Sequence, residues 1–255
     1  MHWFGNFIVG APAVILKSAR PRDILEAVSE EEGTIVWLLV PWAQDILTAI
    51  ETGELKLADY RLDQWRLMHI GAQPVPPSLV REWRRVFPRH AYDTNYGLSE
   101  STGPGCVHLG MENMHKVGAI GVPGFDWEFA IVDPEDRPVP PGAPGELIVR
   151  GPGVMKEYFK NPAETARALR HGWLHTGDIA RLDEDGFIFL VDRKKDVIIT
   201  GGENIFPVEI EDFLQEHPDI QDVAVIGLPD ERLGEVVAAI IQKKPGRLLT
   251  AEQVD

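Results

Sequence analysis

A single cysteine, a shortage of basic charge and the lack of any long apolar run set the first limits on this 255-residue chain. With Cys106 alone, no internal disulfide forms and a cysteine zinc cluster is excluded. That usage fits a reducing compartment, and a cytoplasmic protein is expected. Only 25 lysines and arginines stand against 40 aspartates and glutamates, a formal charge of -15. Such a chain repels nucleic acid and anionic lipid, so neither is expected as a partner. An anionic ligand must be met by local groupings of arginine, lysine and backbone amides. The apolar stretch Met1 to Leu16 is too short for a membrane span and lacks the basic front end of a secretory signal. It reads as a buried core segment.

What is present alternates. Trp37-Leu38-Leu39-Val40, Pro41 and the apolar spacing of Ala43 to Ile50 read as strand, break and helix. Pro76-Pro77-Ser78 opens an amphipathic helix with Leu79, Val80, Trp83, Val86 and Phe87 on one face; Pro88 stops it. This alternation favours a mostly parallel α/β layer over residues 1–115. From about Lys116 short β-rich runs are divided by Gly and Pro, and residues 116–194 read as a small barrel-like or sheet subdomain. Within it, Asp183-Glu184-Asp185-Gly186 is a hairpin turn rather than a calcium loop, because the twelve-residue ligand spacing is missing. Residues 195–255 alternate again: a helix from Pro207 to about Glu216, then strands Val223 to Gly227 and Glu235 to Gln242. Thr250 with Gln253 forms a capping box that opens a further helix.

Four stretches carry chemistry. Asn95-Tyr96-Gly97-Leu98-Ser99-Glu100-Ser101 follows an apparent strand end and offers a flat ring, a flexible glycine, a hydroxyl and a carboxylate. Those are parts for holding a nucleotide: a ring for the base, a hydroxyl for a phosphate oxygen, a carboxylate for magnesium. On spacing alone, a Tyr-Gly turn beside an exposed acid fits equally well. Gly71-Ala72-Gln73-Pro74 reads by itself as a turn. His175-Thr176-Gly177-Asp178, by itself, is a common surface turn. Asp192-Arg193-Lys194-Lys195-Asp196 runs into Val197-Ile198-Ile199-Thr200 and the pair Gly201-Gly202; alone it is a solvated charge run before a strand. The eight histidines show no metal-ligand spacing, and Cys106 reads as a small buried filler.

Taken together and in this order, these motifs resemble the adenylate-forming enzymes, over about Trp37 to Gln242. The wording Gly201-Gly202-Glu203-Asn204-Ile205-Phe206-Pro207-Val208-Glu209-Ile210-Glu211 is closest to the acyl- and aryl-CoA ligases. The family carries threonine where this chain has Ser99, which keeps the hydroxyl. The resemblance implies an α/β fold: part of the large amino-terminal domain with a β-barrel subdomain, joined by a hinge to a truncated α+β subdomain. It implies that Tyr96 stacks on adenine with Thr94 at its edge, beside Asn95 and Gly97. Ser99 would contact the α-phosphate and Glu100 would bind Mg2+. Gly71, Ala72 and Gln73 would pass beside the adenine and the acyl group. Asp178 would grip the ribose hydroxyls, and Arg193 would meet ribose or phosphate oxygens in a fork. Lys195 would be the hinge, and Gly201 and Gly202 would line the pantetheine tunnel. The segments around Glu146-Leu147, Gly151, Val154-Met155, Tyr158 and Pro162 to Ala166 also match and carry no assigned chemistry.

The implied reaction joins a carboxylic acid to ATP and then to CoA. The family's glycine-rich phosphate loop has no match here. Its late catalytic lysine, which would neutralise charge at the reacting carboxylate and α-phosphate, also has none. We therefore expect a middle-to-late fragment, inactive alone. The alternatives are a non-catalytic AMP-binding module, a complementing half, or a peptide-synthetase-type adenylation domain.

Overall fold

Proline opens each of the main helices, which is a local reason why they start where they do. Its missing N–H falls among the first-turn donors that have no helical partner, and its ring presets φ. The computed structural model describes residue 6 and residues 8–250. Its helices are α1 (Pro21–Glu30), α2 (Val40–Glu51), α3 (Pro77–Val86), α4 (Pro162–Ala168) and α5 (Pro207–Gln215). The expected break at Pro41 is instead a helix entry, because proline is tolerated in a first turn.

The described residues form two compact units. One runs to Trp127 and includes Gly151–Met155; the other holds Glu128–Arg150 and the chain from Lys156 onward. In the first, strands β1 (Ile35–Leu39), β2 (Leu67–Gly71) and β3 (Ala91–Leu98) lie parallel, His69 opposite Asp93 and Ile70 opposite Thr94. From Asn95 onward β3 pairs antiparallel with β4 (Gly103–His108), which pairs with β5 (Ala119–Pro123). The expected strand end before Asn95 is therefore displaced to Leu98: β3 outlasts its parallel partner because β4 supplies new hydrogen bonds.

The amphipathic reading of α3 is right. Leu79, Val80 and Trp83 are buried on it, and Phe87 just beyond. Trp83, Trp65, Phe87 and His90 form an aromatic cluster, His90 lying 4.7 Å from Phe87 and 4.6 Å from Trp65 between ring centres. The amino-terminal segment departs from expectation. Ile8, Val9 and Ile15 are 85%, 75% and 77% exposed, since the described residues put no layer over them.

In the second unit β6 (Glu128–Val132), β7 (Gly145–Arg150), β9 (Trp173–Leu182) and β10 (Ile188–Arg193) run antiparallel in the order β10-β9-β7-β6, with β8 (Leu169–Arg170) on β9. The hairpin at Asp183–Gly186 is present: Gly186 has φ +82°, and Asp183 Oδ1 accepts the N–H groups of Asp185 and Phe187. A second antiparallel sheet has the order β12 (Glu203–Ile205), β11 (Ile198–Thr200), β14 (Gly234–Lys243), β13 (Ile220–Asp230). Ile198, Leu214, Ile220, Val223 and Val225 form its core under α5. The mixed α/β class is thus as expected. The capping box at Thr250 and Gln253 lies partly outside the described residues.

Candidate functional site

In the first unit the implied nucleotide residues sit at the carboxyl ends of parallel strands, where open α/β sheets bind ligands. Gly71 ends β2, and Ala72 follows at φ +72°, a left-handed conformation uncommon outside glycine. Gln73 is exposed. A Cβ at Gly71 would lie 3.6 Å from the Asn95 carbonyl oxygen and 3.8 Å from Asn95 Oδ1, so the protein itself leaves room there. Asn95 is held in turn: its Nδ2 lies 2.9 Å from His69 Nε2, and His69 Nδ1 lies 3.2 Å from Asp93 Oδ2. Burial pushes the Asp93 carboxyl up, but His69 and the Gly110 N–H outweigh it and hold it below the usual range. Thr94 and Tyr96 are buried on the opposite face of β3, and Gly97 is half-buried.

Ser99 and Glu100 occupy a one-turn 3-10 helix, Ser99–Ser101, with Ser99 exposed and Glu100 half-buried. This turn is pinned from three directions. Ser101 Oγ both accepts the Leu98 N–H at 2.8 Å and donates to the Leu98 carbonyl. The Glu100 carbonyl accepts the Met155 N–H at 2.7 Å, and Thr102 Oγ1 donates to the Gly153 carbonyl at 2.5 Å. Gly151 and Gly153 let this second segment lie against Trp127, where added Cβ atoms would fall 2.4 and 2.9 Å from the indole. A magnesium ion takes few protein ligands, one or two carboxylates beside phosphate oxygens, and a half-buried carboxylate on a turn whose backbone is pinned fits that need. Among the described residues no cluster of three His, Cys, Asp or Glu side chains is placed to hold a metal. Cys106 is buried and its Sγ donates to the Tyr96 carbonyl, so it serves packing.

In the second unit Asp178 is 6% exposed on β9 and pairs across to Arg193 on β10. Arg193 Nε lies 3.5 Å from Asp178 Oδ1, an ion-pair distance, and Arg193 is largely exposed. Lys195 is exposed in the turn closed by the Asp196 N–H to the Arg193 carbonyl. Gly201 and Gly202, at φ +58° and +90°, form the two-residue turn of the hairpin β11–β12. Both central residues at positive φ is the turn that suits a twisted hairpin, so these glycines have a local reason to be there. Asp192 is buried. Its Oδ2 accepts the Val208 N–H in the uncapped first turn of α5, and burial raises its pKa.

Sequence reasoning missed Glu146. Its carboxylate, 8% exposed, accepts the Gly177 N–H at 3.2 Å and faces Lys194 Nζ at 3.0 Å and His175 Nδ1 at 3.3 Å. Burial pushes this carboxyl up, but Lys194 and His175 outweigh it and lower its pKa. An acid buried in a strand of otherwise apolar Gly145–Val149 was the available signal.

The family model described as AMP-binding enzyme matches residues 1–159, and that described as AMP-binding enzyme C-terminal domain matches residues 209–255. A feruloyl-CoA synthase from Amycolatopsis sp is 40% identical over 243 residues, covering 94% of this chain and 48% of that protein. A 2-succinylbenzoate–CoA ligase from Geobacillus kaustophilus is 35% identical over 242 residues, covering 94% and 47%. Among solved structures, an amide bond synthetase from Marinactinospora thermotolerans superposes with a TM-score of 0.86 at 32% identity, covering 96% of this chain and 48% of that one. The o-succinylbenzoate CoA synthetase from Bacillus subtilis, solved with its acyl-adenylate intermediate, superposes at 0.84 with 30% identity, covering 99% and 50%. The chain spans about half the length of the curated relatives it matches.

Proposed function

This chain belongs to the AMP-binding enzyme family, and from that premise we propose that it is the adenylate-binding and hinge-bearing part of an ATP-dependent carboxylate–CoA ligase. Such a ligase activates a carboxylic acid as its acyl-adenylate with loss of pyrophosphate. The CoA thiolate then displaces AMP to give the thioester. The three segments 1–115, 116–194 and 195–255 correspond to the nucleotide face, the β-rich part and the small domain that swings. The protein works in the cytoplasm; one buried cysteine fits that setting, and among the described residues no helix is long and apolar enough to cross a membrane.

The observation that carries this reading is the Thr176-Gly177-Asp178 turn. It offers a buried carboxylate with two acceptor oxygens opposite an exposed guanidinium, the pattern suited to paired hydroxyls beside a phosphate. Asp178 accepts from the ribose hydroxyls, and Arg193 reaches ribose or phosphate oxygens. Tyr96 stacks on the adenine, with Thr94, Asn95 and Gly97 along the base edge and Gly71, Ala72 and Gln73 beside the acyl group. Ser99 donates to the α-phosphate. Glu100 would hold Mg2+, which supplies neutralising charge at the phosphates when bound. Lys195 is the pivot, and Gly201 and Gly202 border the pantetheine arm.

The test is binding of a non-hydrolysable acyl-sulfamate ester of adenosine, with aromatic and fatty tails, followed by calorimetry. Saturable binding displaced by AMP is expected for at least one tail; no binding of either, and none of AMP, overturns the reading. Incubation of this chain with ATP, Mg2+ and a panel of carboxylic acids is expected to release no pyrophosphate, because no phosphate loop and no late catalytic lysine match in it. Robust release would overturn the fragment reading.

A further inference from the structure

We propose that Glu146 is a positioning residue of the Asp178 site, a buried carboxylate that ties the turn bearing Asp178 to the basic run bearing Arg193. The proposal rests on the adenylate reading of Asp178 and Arg193 and adds what holds them.

Two strand irregularities meet at this point. Against β7, Glu146 pairs with Ile179 but Ile148 pairs with His175, so β9 carries extra residues over Thr176–Asp178. Against β10, Leu190 pairs with Ala180 but Asp192 with Ile179, so β10 carries Val191 as an extra residue. Bulges of this kind leave backbone groups without ladder partners and re-aim side chains. Every buried N–H and C=O must then find another partner. Here side chains supply them. Thr176 Oγ1 donates to the Leu147 carbonyl at 2.6 Å and accepts the Asp178 N–H at 3.1 Å. Glu146 Oε1 accepts the Gly177 N–H, and the Gly177 carbonyl accepts the Lys194 N–H at 2.8 Å. Gly177 can take this place because its φ is +75°.

The consequence is a closed ring. Lys194 grips Gly177 twice, once through its own backbone N–H and once through its ammonium by way of Glu146 Oε2. Asp178 and Arg193 are the next residues along from the two that the ring joins. Fixing Gly177 against Lys194 therefore fixes a carboxylate against a guanidinium. Arg170 Nη2, 3.9 Å from the same Oε2, adds a second positive group and lies 2.7 Å from His175 Nδ1, itself 3.3 Å from Oε2, while Asp136 faces Arg170 at 3.2 Å. The ring also puts Lys194 on the held side of the basic run. A swing of the following segment then begins at Lys195 or beyond, without disturbing Asp178.

The test uses the full 255-residue chain with Lys194→Met, Glu146→Gln and the double variant, and Lys194→Arg as the conservative control. Lys194 is more than half exposed, so its substitution opens no buried cavity, and it keeps the test usable even if Glu146 variants are unstable. In two-dimensional amide NMR, Lys194→Met and Glu146→Gln are each expected to displace the Gly177 and Asp178 resonances. Lys194→Arg leaves them close to their original positions. AMP affinity by calorimetry is expected to fall about tenfold in each single variant, as for a lost charge-assisted hydrogen bond, and no more than about twofold further in the double variant. Unmoved Gly177 and Asp178 amides, or single-variant losses that multiply in the double, overturn the proposal. Failure of the parent chain to bind AMP overturns the adenylate reading instead, while the amide shifts still decide whether the ring exists.

Discussion

The turn bearing Glu100 and the turn bearing Asp178 are both pinned, but by different means. The first follows directly from a strand: β3 runs from parallel to antiparallel pairing and ends in a one-turn helix, so Tyr96, Ser99 and Glu100 come from one unbroken stretch. Its supports belong to the turn itself: the Ser101 hydroxyl holds Leu98, and the Thr102 hydroxyl and Glu100 carbonyl bond to the backbone of a glycine-flanked segment lying against Trp127. The second is assembled where three strands lose register, and its supports are side chains drawn from Glu146, Thr176 and Lys194. The first thus draws its functional groups from one stretch and leans on the backbone of a segment 51 residues on, whereas the second depends on single distant side chains.

The sharpest way to break this comparison is at Asp178 itself. Asp178→Asn is expected to weaken AMP binding about a hundredfold, two charge-assisted hydrogen bonds at about 1.5 kcal/mol each. Unchanged affinity in calorimetry removes the residue from the site.

Acid should weaken the first unit early. His90 is buried with no partner on Nδ1 among the described residues, and burial, with the Arg89 charge, lowers its pKa from 6.5 to about 4. A lowered imidazole pKa means that the folded state prefers the neutral ring. Its contribution is present above pH 6.5 and is lost as pH falls toward about 4. The loss is on the order of 3 kcal/mol at most. Glu146 acts in the same direction at lower pH: its contribution is present above the ordinary carboxylate range and is lost as pH falls through its lowered value. Urea unfolding between pH 7 and pH 4 should therefore be less pH-dependent in His90→Phe than in the parent. Equal slopes would contradict the assignment.

Two glycines sharpen the contrast further. Gly151→Ala puts a Cβ 2.4 Å from the Trp127 ring and is expected to cost about 2 kcal/mol by overpacking. Gly177→Ala meets no atom within 4 Å, so its expected cost is the backbone alone, about 1 kcal/mol for left-handed φ. Denaturant midpoints of the two variants in the opposite order would show that the bulge is the more tightly packed of the two.

The same contrast explains what was legible in the sequence. Tyr96 to Glu100 and Thr176 to Asp178 each read alone as an ordinary turn, and only their order along the chain, through the family resemblance, marked them as candidates. The amphipathic α3, the Asp183–Gly186 hairpin and three strands of the small sheet, β11, β13 and β14, followed from periodicity and turn chemistry, whereas the three-residue β12 was too short to show a pattern. The extension of β3 to Leu98 could not be read, since it depends on partners in β4 that compete only once both strands exist. Exposure of Ile8 and Ile15 was also hidden, because hydrophobicity says what a segment prefers and not what lies over it. Glu146 escaped notice because Lys194, its partner, lies 48 residues away, and the register shifts that bring them together leave no local pattern.

The central claim is that the Asp178 carboxylate receives the ribose hydroxyls of an adenylate. Calorimetric titration of this chain with AMP and with 2′,3′-dideoxy-AMP tests it most directly. The account predicts saturable one-site binding of AMP and about a hundredfold weaker binding of the dideoxy compound. Equal affinity for the two nucleotides would contradict it.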